Sequence, residues 1–282
     1  MAIASSSTTN LDAVRDAYLA LVQDALLGKF GPAKELVPLA GPRTRKLLGS
    51  ALDSRWATLA RWHQENPPDI EAGRAWPRHA ITMVGRPRLD NLRDCIEDVL
   101  THEVPGDVIE TGVWRGGASI YMRAILKAWD VTDRKVWVAD SFQGVPPPDV
   151  EAYPADAIAF PWHEHKEVLG VALHEVQGNF AKFGLLDDQV TFLKGWFKDT
   201  LPSLVDHTWA VVRLDGDLYE STIQALSSLY PNLSTGGWLI VDDYNLIPVC
   251  KQAVTDYREQ NGIVEPIQEI DHTGVCWQRG HG

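Results

Sequence analysis

The chain has 282 residues, 45% of them apolar and 23% charged, the balance of an ordinary globular protein and not of a disordered or fibrous one. Its 26 Lys plus Arg against 38 Asp plus Glu give a formal charge of −12. That leaves no basic surplus to neutralise the phosphates of a nucleic acid or to settle on an anionic membrane.

The N-terminal MAIASSSTTN has neither a basic n-region nor an apolar h-region, which argues against a secretory signal and predicts a frayed tail. No run approaches the roughly 20 apolar residues of a bilayer span. Cys95, Cys250 and Cys276 are scattered, without a CxxC. They predict reduced, partly buried thiols in a cytoplasmic protein rather than a disulfide framework or zinc knuckle. The 11 tryptophans read mostly as core or interface filler, with one or two at a ligand pocket.

Residues 11–28 place Leu11, Val14, Tyr18, Leu21, Val22, Ala25 and Leu26 at helical spacing, with Gly28 as the stop. Residues 41–88, rich in Arg, Trp and Pro, read as short helices and loops. ENPPD (65–69) marks a boundary between an N-terminal helical segment, 1–70, assigned to a lid or to oligomerisation, and a catalytic fold, 71–282. A helix follows over 88–103.

From residue 107 strands and helices alternate. Strands are expected at 107–113, 135–140, 190–195, 209–217 and 236–244, with helices at 116–129, 165–184, 219–230 and 249–262 between and after them. Segments 266–271 and 274–279 suit a closing hairpin. The alternation predicts an α/β fold with a mostly parallel sheet, whose ligands bind beyond the carboxyl ends of the strands. Acids sit at those ends: Glu110, Asp140, Asp215, Asp217, Asp242 and Asp243.

ETGVWRGGAS (110–119) turns from the first strand into its helix on Gly112, Gly116 and Gly117, without the GxGxxG of a dinucleotide fold. A carboxylate there suits a cationic ligand better than a pyrophosphate. Asp140, at the next strand end, can accept ribose hydroxyls. Together these favour S-adenosylmethionine over NAD. LDGDLYES (214–221) and VDDYN (241–245) bring four carboxylates to adjacent strand ends. Like charges crowd there only with protonation or a dication, and an oxygen-only set selects Mg²⁺ or Ca²⁺. The reading is metal for Asp215, Asp242 and Asp243. Asp217 divides evenly between metal and a cap on the following helix. A dication beside a methyl donor acidifies a substrate hydroxyl and aligns it.

ETGVWRGGAS, VADSFQGVPPP (138–148), RLDGDLYEST (213–222), LYPNLSTGGWLIVDDY (229–244) and AITMVGRPRLDNL (80–92) together resemble the macrocin O-methyltransferase family over roughly residues 75–280. The resemblance implies a Rossmann-like class I methyltransferase fold, with a seven-stranded sheet and an antiparallel last strand. It implies an S-adenosylmethionine- and Mg²⁺-dependent enzyme that methylates sugar hydroxyls of antibiotics and related natural products, the sugar being part of a finished glycoside or linked to a nucleotide, and a homo-oligomer. By the same resemblance Asp215, Asp242 and Asp243 are the metal triad. Thr82 and Met83 touch the cofactor from the N-terminal lid, Glu110, Thr111, Gly112, Trp114 and Arg115 shape its methionine end, and Asp140, Ser141 and Phe142 hold the adenosine. Gly195, Trp196 and Phe197 flank the adenine or simply pack the core. Asp215 is the first choice for the base, and His272, in the turn IDHTGVCW, the second.

The Pro-rich stretch 143–165 is expected to cover the substrate as a lid. Three rivals stand beside the sugar reading: a catechol O-methyltransferase with the same metal logic, an NAD-dependent sugar-modifying oxidoreductase, and a noncatalytic nucleotide-binding module. The oxidoreductase lacks both the dinucleotide fingerprint and a Tyr-x-x-x-Lys pair.

Overall fold

The computed structural model describes residues 4–31, 35–38, 60–63, 66–75 and 78–280. Helix α1 spans Ala4–Leu26, and strands β1 (Glu35–Pro38) and β2 (Ala60–His63) pair antiparallel. Helices α2 (Pro67–Glu71) and α3 (Arg86–Thr101) precede β3 (Asp107–Thr111), α4 (Gly117–Ala128) and β4 (Val136–Asp140). Next come α5 (Lys166–Leu169), α6 (Leu173–Lys182), β5 (Val190–Lys194), α7 (Phe197–Thr200) and β6 (Trp209–Leu214). The chain closes with α8 (Tyr219–Leu229), β7 (Leu233–Val241), α9 (Pro248–Gln260), β8 (Gln268–Glu269) and β9 (Val275–Gln278).

The main sheet has seven strands in the order β5-β4-β3-β6-β7-β9-β8. The five on the β5 side run parallel, whereas β9 is antiparallel to both β7 and β8. The chain builds outward from β3 to β5 and then returns to lay β6 on the other side of β3. That reversal opens a crevice beyond the carboxyl ends of β3 and β6, the place where such sheets bind ligands.

Successive residues of a strand face opposite sides, so each parallel strand feeds two cores. Val108 and Val211 pack with α3, α4 and α6, through Leu89, Ile96, Ile120, Ile125 and Phe180. Ile109 and Val212 pack with α8 and α9, through Leu226, Leu229 and Val254. Both faces are covered, which explains why these strands read as continuous apolar runs instead of alternating ones.

Three local expectations change. The tail expected to fray is helical from Ala4, so α1 begins before the periodic stretch. Leu19, Val22 and Leu26 of α1 lie in the same core as Leu89 and Ile125, so this part of the N-terminal segment is built into the catalytic fold. The helix expected over 165–184 is broken into α5 and α6. Gly170 ends α5 with φ −84° and ψ 86°, and a Cβ there would sit 2.7 Å from the Lys166 carbonyl oxygen. Much of the loop-and-short-helix reading of 41–88, with Trp56 and Trp76, lies outside the described residues. Cys95, Cys250 and Cys276 are free and buried. Among the described residues no helix is long and apolar enough to cross a membrane.

Candidate active site

The strand ends stand side by side because the ladder continues past them. Gly112 donates to the Ala139 carbonyl, Asp215 to that of Thr111 and Asp242 to that of Leu214, each at 2.9 Å. The acids that follow four neighbouring strands therefore gather at one edge. Gly112 is needed there: its φ is 79°, and a Cβ would lie 1.7 Å from the Asp215 carbonyl oxygen. Three non-glycine residues take positive φ in the same loops, Trp114 at 48°, Phe142 at 56° and Asp217 at 59°. Such strain persists where the surrounding structure imposes it, and it concentrates at functional sites.

A cavity of about 770 Å³ opens over this edge. Of the residues expected to hold a cofactor, Thr82, Met83, Glu110, Gly112, Trp114, Asp140, Ser141, Trp196 and Phe197 line it. Thr111, Arg115, Phe142 and Gly195 do not line it. Thr111 is buried in its strand. Arg115 donates to the carbonyls of Arg78 and Ala80, at 2.8 and 2.7 Å, and its guanidinium lies 4.2 Å over the Trp114 ring. It straps the 78–80 segment onto the glycine loop instead of facing a ligand. Asp140 accepts the backbone amides of Val113 (2.8 Å) and Phe142 (2.6 Å), one on each oxygen, which leaves further lone pairs for a diol. Burial pushes its carboxyl up, and those amides hold it back.

Carboxylate oxygens of Asp215, Asp242 and Asp243 lie within 4.8 Å of one another. Two arginines that received no role from sequence hold this cluster. Arg213, buried in β6, donates to Glu110 at 2.6 Å, to Asp215 at 3.0 Å and to Asp242. Arg88 from α3 pairs with Asp242 and, at 3.1 Å, with Asp271. A cation within an apolar strand was the available signal for Arg213, because a buried arginine needs acids around it. Two cations do not balance so many acids. Burial, with Arg213 pulling the other way, leaves the Glu110 carboxyl pushed up to about 7. Burial and the charge of Asp242 raise Asp215. Burial and the charges of Asp215, Asp217 and Asp242 push Asp243 well up, and its buried Oδ2 has no hydrogen-bond partner. An orphaned oxygen within an oxygen-only donor set of surplus negative charge fits a hard dication.

Asp217 lines the cavity beside the three convergent carboxylates without joining them, and it makes no capping bond to α8. The amides at the start of α8 go to Asp156 instead, as Tyr219 and Glu220 donate to its carboxylate at 2.7 and 3.0 Å. His272 lines the cavity from the turn before β9, about half exposed. The Pro-rich stretch folds into 3₁₀ turns at Pro154–Ile158 and Trp162–Glu164. Val145, Pro146, Pro147, Phe160, Trp162 and His165 of this stretch line the cavity. Phe160 lies 4.4 Å from Trp162 and stacks at 5.5 Å on His165, ring centre to ring centre. Nothing in the sequence pattern marked those rings, because loop side chains acquire a common face only on folding.

The profile of the macrocin-O-methyltransferase family (TylF) matches residues 15–279. A tetracenomycin-C 4′-O-methyltransferase of Streptomyces olivaceus, acting on an 8-(2,3-dimethoxy-α-L-rhamnosyl) derivative, is 54% identical over 227 residues, 79% of this chain and 86% of that protein. A demethyldecarbamoylnovobiocin O-methyltransferase of Streptomyces niveus is 55% identical over 207 residues, 73% of this chain and 79% of that protein. The solved structure of the O-methyltransferase NovP superposes with a TM-score of 0.81 at 44% identity, covering 95% of this chain and 100% of that one.

Proposed function

Given that the chain belongs to the macrocin-O-methyltransferase family and is an S-adenosylmethionine-dependent O-methyltransferase, we propose that it methylates a sugar hydroxyl of a finished natural-product glycoside, with Mg²⁺ at Asp215, Asp242 and Asp243. The observation that carries the metal is the approach of those three carboxylates within 4.8 Å, with the Asp243 Oδ2 left unpartnered. When bound, the cation lowers the pKa of an acceptor hydroxyl and holds its oxygen toward the methyl donor. Glu110, Gly112 and Trp114 receive the methionine end of the cofactor, Asp140 and Ser141 its ribose, and Trp196 and Phe197 its adenine. Thr82 and Met83 close the opposite side. Asp215 takes the hydroxyl proton, and His272 is the second candidate for that step. Arg213 and Arg88 hold Asp242 from two sides and keep the acid array in place.

The charge and the rings of the walls support a glycoside over a sugar nucleotide. Of the four cations on the cavity wall among the described residues, Arg74, Arg88, Lys198 and Arg213, three spend their guanidinium groups on carboxylates. A diphosphate would meet a surplus of acids. The rings of Phe160 and Trp162, with Pro146 and Pro147, suit an apolar aglycone. The Streptomyces olivaceus relative carries a rhamnosylated tetracenomycin in its name, which supports the same class. A homo-oligomer and a cytoplasmic location belong to the same proposal. Exposed Leu11, Val14 and Leu21 along α1 support the first, and three buried unpaired thiols the second.

The test is mass spectrometry of rhamnosylated polyketides, aminocoumarin glycosides, catechols and dTDP-rhamnose incubated with enzyme, cofactor and Mg²⁺. A gain of one methyl on a glycoside, stopped by EDTA and restored by Mg²⁺, is expected. Methylation of the sugar nucleotide or catechol alone would overturn the acceptor class. Full turnover in chelator would overturn the metal.

A further inference from the structure

We propose that Asp156 is a positioning residue, the pin that fastens the acceptor wall, 143–165, to the helix behind the acid cluster. The proposal deepens the reading above, since the pinned stretch is the outer wall of the acceptor cavity there. Asp156 is 1% exposed, although it sits in a stretch whose other side chains are mostly exposed or half-buried. Its two carboxylate oxygens take the first two backbone amides of α8, Tyr219 at 2.7 Å and Glu220 at 3.0 Å. These are amides that a helix leaves orphaned at its start, where a negative charge is also favoured.

The cap comes from a distance because the local N-cap position is spent on packing: Leu218 is 2% exposed. Leu218 occupies the N-cap position with φ −81° and ψ 158°, the extended backbone in which Ser, Thr or Asp caps a helix, and its side chain makes no capping bond. Taking the cap from Asp156 ties together two segments that both line the cavity. On one side stand Pro146, Pro147, Phe160 and Trp162, and on the other Asp217 and Glu220 at the head of α8. The tie matters because the wall has little apolar anchorage: Val150 is 48% exposed, Phe160 54% and Ile158 80%. A segment that buries so little opens easily unless polar bonds hold it. Its ends have theirs, Ser141 Oγ donating to the Gly144 carbonyl and Trp114 Nε1 to that of Val168. Asp156 supplies the middle.

The experiment compares the full-length wild type with Asp156→Ala and Asp156→Asn. Readouts are backbone hydrogen exchange peptide by peptide, melting temperature, and S-adenosylmethionine titration by calorimetry. In Asp156→Ala exchange across 143–165 rises about tenfold, the scale of a lost charged helix cap, while β3 and β4 keep their protection and the cofactor still binds. Asp156→Asn, with one amide acceptor left, falls between. Unchanged exchange over 143–165 in Asp156→Ala, or faster exchange confined to α8, would overturn the proposal by making Asp156 a cap alone. If Asp156→Ala does not fold, Asp156→Asn decides: faster exchange confined to the wall supports the pin, and exchange raised evenly over the molecule refutes it. None of these readouts needs an acceptor, so failure of the pin is told apart from failure of the glycoside reading.

Discussion

Gly112 and Asp215 meet backbone to backbone where two parallel strands end, and no side chain fits between them. In Gly112→Ala the new Cβ, built at 1.7 Å from the Asp215 carbonyl oxygen, must push the acid-bearing loop away. We expect a loss of about 1–3 kcal/mol in urea unfolding and weakened cofactor binding by calorimetry. An unchanged midpoint would mean that the two strand ends are not in contact. Asp215 separates binding from chemistry. Asp215→Asn keeps a similar shape, removes the charge, and is expected to cut turnover by about 10²-fold or more while leaving S-adenosylmethionine affinity nearly intact. His272→Ala is then expected to be mild. If kcat instead collapses in His272→Ala and survives in Asp215→Asn, the ranking of the two bases reverses.

At the scale of elements, α1 and the Pro-rich stretch make opposite predictions. Leu19 is fully buried among residues of α3 and α4. Leu19→Ala is expected to cost about 2–5 kcal/mol, visible as one cooperative transition shifted to lower urea. A separate early transition would instead show that the first 70 residues fold as a unit of their own. The 143–165 stretch behaves as an element held from outside. Limited proteolysis should cut it more slowly once S-adenosylmethionine and an acceptor close the cavity, and equal cleavage in all conditions would remove its part as a lid. The helix once expected over 165–184 belongs to the same scale. Its apolar residues keep helical spacing, but Gly170 breaks the backbone and lets Val168 accept the Trp114 indole.

Across the molecule, charge ties the N-terminal helix to the catalytic fold. Lys29 and Arg86 bridge Asp24 of α1 and Glu71 of α2. Burial pushes both carboxyls up, but the hydrogen bonds and charges of Lys29 and Arg86 outweigh it and hold them below the usual range. A carboxyl lowered on folding stabilises the native state above its unfolded pKa, and that contribution disappears as pH falls through the folded value. The stability gap between wild type and Arg86→Met should therefore be full at neutral pH and close below about pH 4. Urea titrations at several pH values check it. A gap independent of pH would mean that Arg86 acts through packing alone. These groups are partly exposed, so salt should narrow the gap as well.

Local sequence determined the elements and the kinds of atoms they carry. The order of apolar runs and helical stretches gives a doubly covered parallel sheet, because β3, β4, β6 and β7 are buried on both faces and must read as near-continuous apolar segments. Acids placed one residue beyond such runs could only collect along one edge, so Asp140, Asp215, Asp242 and Asp243 were legible as a group. Partners from distant parts of the chain were not. Arg88, Asp156, Asp271, Phe160 and Trp162 lie on a helix, a turn and a loop whose meeting depends on strand order, and no periodicity encodes strand order. Asp217 shows the limit within a single motif: it sits near Asp215 in the same acidic turn, yet its backbone turns at φ 59° and a carboxylate from another loop takes the helix amides that one of its two readings assigned to it. The reversal between β3 and β6 decided which charges face each other, and only the folded chain contains that reversal.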